Sequence, residues 1–127
     1  MKHPLASLAA VALVATALPL LAPASAYASG DDARREGRCA RGVEWEMRAK
    51  PDEGRFEIEV EIDADRRGQR WAWVLKHNGS VSDRGTSTTR GGGAFEVERL
   101  AVDVSGLDTF RFKAARKGVR CVAQVSM

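Results

Sequence analysis

The fold this chain predicts is all-β, a single antiparallel sandwich of about seven short strands, and three observations carry that prediction. Apolar and charged residues alternate with period two through segment after segment, as in "RFEIEVEIDA", a pattern that a strand with one buried face requires and a helix does not produce. Turn signals punctuate those segments at short intervals. No helical period appears beyond residue 28.

The elements follow in chain order. "MKH" is a short positive start, and Leu5 to Leu21 is an apolar run broken only by Ser7, Thr16 and Pro19. The small residues of "APASAYA" then offer cleavage after Ala26 or Ala28, which completes the plan of a secretory signal peptide over 1–28. Its removal would leave 99 residues with a charge of +2, enough for one small core. No second apolar stretch is long enough to span a membrane. Residues 29–38, "SGDDARREGR", are charged and without period, so a flexible lead-in is expected there, with the sandwich domain over 39–127.

"GVEWEMRAK" sets Val43, Trp45, Met47 and Ala49 on one face, and "PDEG" turns the chain. The next strand faces Phe56, Ile58, Val60 and Ile62 inward and Glu57, Glu59, Glu61 and Asp63 outward. Closed tightly, this hairpin would oppose Glu46 to Glu59 and Glu44 to Glu61. "RWAWVLKH" is the third strand, ended by Asn78-Gly79, the strongest short hairpin signal. A short polar edge strand is expected around 80–88. In "AFEVERLAVDV" the apolar positions shift from Phe95 and Val97 to Leu100, Val102 and Val104, which predicts a bulge or a bend near Glu98-Arg99. "TFRFKA", a Lys117-Gly118 turn and "VRCVAQVSM" finish the sandwich.

Cys39 and Cys121 are the only two cysteines. An exported chain with an even count predicts one disulfide. They lack C-x-x-C spacing and a second ligand cluster, so neither metal nor cofactor is implied.

The strand count, the tryptophans on the third strand and the corner "DVSGLDTF" resemble immunoglobulin-like and fibronectin-type sandwiches. Two departures stand out: the cysteines lie near the domain's two ends, and Phe110 stands near the place of a corner tyrosine. The Ala/Arg/Gly-rich style with one disulfide is also similar to small proteins exported by actinobacteria, a likeness that implies no particular activity.

Trp71, Trp73 and Leu75 share a face. The resemblance to immunoglobulin-like sandwiches, whose third strand is central, implies the core for both rings; the alternative is an outward platform on which a sugar or other flat ligand stacks. His77, at a hairpin corner, is expected to be exposed and has no nucleophilic partners nearby in sequence. Asp63 and Asp65 lack the further oxygens and glycine spacing of a calcium loop. The carboxylates alternate in solvated positions, where nothing prepares them for acid–base chemistry, so no enzyme is expected.

Charge is the remaining signal. The first sheet's outer face would carry eight acids, Glu44, Glu46, Glu59 and Glu61 among them, against Arg48, Lys50 and Arg55. The opposite sheet would show Lys76, Arg111, Lys113 and Arg120. A basic face of that kind suits an acidic protein or an anionic cell-envelope polymer. The near balance of 20 basic and 17 acidic residues argues against a nucleic-acid binder, which needs segregated excess positive charge over its whole footprint.

Overall fold

The computed structural model of the chain describes residues 32–127; the expected signal peptide over 1–28 lies outside the described residues. Eight strands form two four-stranded antiparallel sheets. Sheet A has the order β1 (Ala33–Arg38), β2 (Glu44–Asp52), β3 (Arg55–Asp63) and β6 (Ala94–Val102). Sheet B has the order β5 (Ser80–Thr88), β4 (Arg70–His77), β7 (Thr109–Arg116) and β8 (Val119–Ser126). Among the described residues the only helical element is one short turn, Ala40–Gly42.

Three hairpins close through two-residue turns ending in glycine. Glu53-Gly54 has φ of 50° and 79°, Asn78-Gly79 48° and 84°, and Lys117-Gly118 43° and 78°. Both central residues of each turn are left-handed, which matches the twist of the flanking strands. The first turn sets a register that differs from the expected one. Asp52 pairs with Arg55, so Glu46 opposes Glu61 and Glu44 opposes Asp63, while Arg48 meets Glu59 and Lys50 meets Glu57. The turn at Glu53-Gly54 moves every pair by two positions, so Glu44 and Glu46 still face acids but different ones, while Glu59 gains a cation.

The core is built as the alternation requires. Met47, Ala49, Ile58, Val60 and Ile62 from sheet A face Trp71, Trp73, Leu75, Phe110 and Phe112 from sheet B, all buried. Trp73 stacks on Phe112 at 5.5 Å between centroids, and Phe56 meets Phe110 edge-on at 5.6 Å, geometries that aromatic quadrupoles favour.

Residues 33–38 are strand β1, not part of a flexible lead-in, which makes eight strands where about seven were expected. Gly37 lies opposite Trp45, and a Cβ there would come within 2.7 Å of the indole Cζ2. The ring therefore lies across the glycine. Edge strand β5 repeats the device: Gly85 opposes Trp73, and its Cβ would sit 2.8 Å from Trp73 Cζ2. Each edge thus gains apolar contact from a neighbour's indole at a position where it has no side chain of its own.

Two further expectations are corrected. β6 runs through Glu98-Arg99 without a bulge, in continuous register with β3. Arg99 and Ala101 continue the inward face, and Leu100 and Val102 are exposed. The register shift occurs instead between Leu75 and Lys76, where β4 meets β5. β5 is also nine residues long, not short.

The two seams of the sandwich close differently. On one side the Cys39–Cys121 disulfide, with Cα atoms 5.3 Å apart, joins the chain just after β1 to β8. On the other, Arg99 reaches across from β6. It bonds the Asp83 carboxylate of β5 through Nε and places its guanidinium 5.1 Å from the Trp73 ring centroid. That guanidinium holds the Asp83 carboxyl below its ordinary pKa.

Candidate functional site

The alternation that fills the core also sorts charge between the two outer faces. On sheet B the outward positions hold Arg70, Lys76, Arg84, Arg111, Lys113 and Arg120. Among the described residues no acid shares that face, because Asp83 turns to Arg99 at the edge. The four residues expected from sequence are all there, and the register adds Arg70 and Arg84. The Asn78-Gly79 turn alone would set Arg84 opposite the inward Trp73; the register shift between Leu75 and Lys76 brings it opposite Val74 on the outer face.

The centre of this face is low. Ala72, Val74 and Ala115 have short side chains, and Lys76, Arg84, Lys113 and Arg120 surround them. Together they bound a shallow depression of about 640 Å³. Its floor is apolar and its rim cationic, so an anionic group at the rim can be held while a chain or ring rests on the floor. Neighbouring strands lie about 5 Å apart and same-face residues about 7 Å apart, which spreads the cations over a lattice that a repeating polyanion can follow.

Sheet A is the opposite in sign. Ten acids and five bases point outward, a net of −5, since β1 and the end of β2 add Arg34, Arg38, Glu36 and Asp52 to the expected set. One row across the four strands is all glutamate: Glu36, Glu46, Glu61 and Glu96 stand side by side. Arg34 reaches into this row and bonds Glu46 at 2.8 Å. Partial burial, together with Glu46, Asp63 and Glu96, pushes the Glu61 carboxyl above its ordinary pKa. In the neighbouring rows Arg48 lies 3.8 Å from Glu59 and Lys50 lies 3.4 Å from Glu57. The Glu98 carboxyl is raised, chiefly by its hydrogen bond to Glu57, which is itself lowered by accepting from Glu98 and Lys50.

A prediction follows for the ladder. Glu61 is raised in the fold, so its charged form is disfavoured there, and the domain loses stability as pH rises from the unfolded carboxylate range through the raised value. Glu61→Gln is expected to stabilise the domain at pH 7 by roughly 0.5 kcal/mol, the scale of a cross-strand charge pair. Thermal melts should show the gain at neutral pH and none below pH ~4, where both states are protonated.

The aromatic platform is overturned. Trp71 and Trp73 are 1% and 3% exposed, so neither ring offers a face to a ligand. Trp73 bonds Ser87 Oγ through Nε1 at 3.1 Å. His77 is also not an exposed turn residue. Its ring stacks on Phe110 at 4.4 Å, and Nε2 lies 2.5 Å from Oδ1 of the buried Asp108. Asp108 exchanges two backbone hydrogen bonds with Met127. The pair therefore anchors the chain's last residue and the end of the β6–β7 loop, a structural task that needs no substrate. Asp108 stands 31 residues from His77, and no local pattern links them.

Comparison with known family models, curated proteins and solved structures returns no match for this chain.

Proposed function

We propose that the chain is a secreted, non-enzymatic β-sandwich of immunoglobulin-like type that binds an anionic cell-envelope polymer through the outer face of sheet B. The observation that carries this reading is the charge of that face, six cations and no acid among the described residues, four of the cations around an apolar depression. In a chain with 17 acids among 127 residues, such a face is a departure from ordinary mixed surface charge. Setting β1 aside, the order β2-β3-β6 against β5-β4-β7-β8 supports the immunoglobulin-like description. The apolar leader and the disulfide support export.

The binding is electrostatic at the rim, so salt tests it. Retention on a polyglycerol-phosphate polymer is expected at low ionic strength and should be lost by about 0.5 M salt, where the Debye length falls to roughly 4–5 Å. Retention that persists at that salt would contradict the reading. Polyglutamate, which offers carboxylates in place of phosphates, shows whether the face distinguishes the two anions.

A further inference from the structure

A second site lies at one end of the sandwich, away from the sheet B face. There the turn Ala40–Gly42, the β3–β4 connection and the Lys117-Gly118 hairpin surround a cavity of about 370 Å³, a volume on the scale of small-molecule pockets. Val43, Trp71 and Val119 form its apolar wall. Arg41, Arg66, Arg116 and Lys117 are its charged lining, with no acid among the lining residues.

Two buried side-chain atoms in the described structure have no hydrogen-bond partner, Trp71 Nε1 and Gln69 Oε1, and both residues line this cavity. A buried polar group left unpaired costs about 1–3 kcal/mol, so two of them beside one cavity call for an explanation. One is a donor and the other an acceptor, the complement of a hydroxyl, which can accept from an indole N–H and donate to an amide oxygen. Trp71 is 1% exposed, so its N–H gains nothing from bulk solvent.

The surrounding loop is already fixed. Thr89, itself buried, accepts from the Gln69 amide at 2.9 Å through Oγ1 and donates to the Arg66 carbonyl at 2.5 Å. The Gly68 and Thr89 amides donate to the Thr89 and Gln69 carbonyls respectively. Gly93, at φ 97°, packs so close that a Cβ would lie 2.3 Å from the Arg66 nitrogen. The backbone around the cavity is therefore held in place, and a ligand reaches the two polar atoms, which have almost no accessible surface, by displacing side chains of the wall.

We propose that this cavity binds a small hydroxylated anion, a sugar acid or sugar phosphate. Its hydroxyl satisfies Trp71 Nε1 and Gln69 Oε1, and its charged group meets the arginines and Lys117. This site is separate from the polymer-binding face and does not depend on it.

The test follows the indole N–H cross-peak of Trp71, one of three tryptophans, in ¹⁵N-labelled protein titrated with glucuronate, glucose 6-phosphate, glucose and sulfate. The expected result is a saturable shift with glucuronate or glucose 6-phosphate, of millimolar affinity or tighter, that glucose and sulfate do not reproduce. Which of the two anions binds tighter names the charged group. Gln69→Leu should weaken that binding about tenfold, the scale of one buried hydrogen bond, and Arg116→Glu should abolish it, each with an unchanged melting profile. Lys113→Glu, on the sheet B face, should leave it intact. An equal response to sulfate would overturn the role of the hydroxyl, and an equal response to glucose would overturn the role of the charge. Absence of a saturable shift with all four would overturn the site, the two polar atoms then being served by water.

Discussion

Replacing both cysteines, Cys39→Ala with Cys121→Ala, is expected to cost about 4–5 kcal/mol of folding stability, the chain-entropy value for a crosslink spanning this much sequence. The bond closes 82 residues, nearly the whole domain, and it joins sheet A's side of the sandwich to sheet B's. A domain of this size holds roughly 5–15 kcal/mol in total, so the loss removes a large part of what keeps it folded. The β1 edge it staples has little other support. β1 is a six-residue strand whose outward ion pairs, such as Arg38–Glu44 at 3.2 Å, lie well exposed, and pairs of that kind contribute little. Urea denaturation of the double variant should show a midpoint far below that of the parent and a steeper slope, because the denatured chain without its crosslink exposes more surface. A loss under about 1 kcal/mol would mean that the β1–β8 seam closes by packing alone, against the entropic estimate.

Trp73→Ala is expected to cost about 3–5 kcal/mol, the range for truncating a buried aromatic. One ring here serves four partners. It stacks on Phe112, donates to Ser87, lies across Gly85 on the edge strand and receives the Arg99 guanidinium. Its removal leaves a void beneath β5 and takes the apolar contact away from an edge glycine. The Arg99–Asp83 bridge then spans a seam with no ring under it. The same substitution at Trp45, which is only partly buried at the opposite edge, should cost less. Equilibrium denaturation of the two variants checks both the size and the order, and an equal or reversed order would contradict this account of the two seams.

How far the sequence carried the fold depends on where the signal is written. Strict alternation along β2, β3, β4, β7 and β8 fixed the buried face of each strand, and the structure places those residues in one core. The disulfide and the glycine-ended turns were equally legible. β1 was not, because "ARREGR" is an edge strand whose inward positions are Ala33, Arg35 and Gly37, none of them a large apolar residue, with the glycine completed by Trp45 from the next strand. β6 misled for another reason. Leu100 and Val102 suggested a change of phase, yet isolated apolar residues are common on protein surfaces, and the inward place belongs to Arg99.

The candidate site divides in the same way. Lys76, Arg111, Lys113 and Arg120 could be placed on one face by period two alone. Arg84 required the pairing register, and the glutamate ladder required the loop length at Glu53-Gly54. The end cavity is assembled from residues as far apart as Arg41 and Val119, and the absence of partners for Trp71 and Gln69 is a property of the folded state. No local pattern could announce it.

The proposed polymer binding rests on one face and not on overall charge. Two double variants with the same change in net charge separate these. Arg111→Glu with Lys113→Glu alters the sheet B face, and Arg38→Glu with Arg55→Glu alters sheet A. Binding of each to polyglycerol phosphate would be measured at one low salt concentration. Each cation near an anionic surface contributes about 1 kcal/mol, so reversing two is expected to weaken binding by well over tenfold on sheet B and to leave it nearly unchanged on sheet A. Equal losses in the two variants would contradict the claim and assign the attraction to net charge alone.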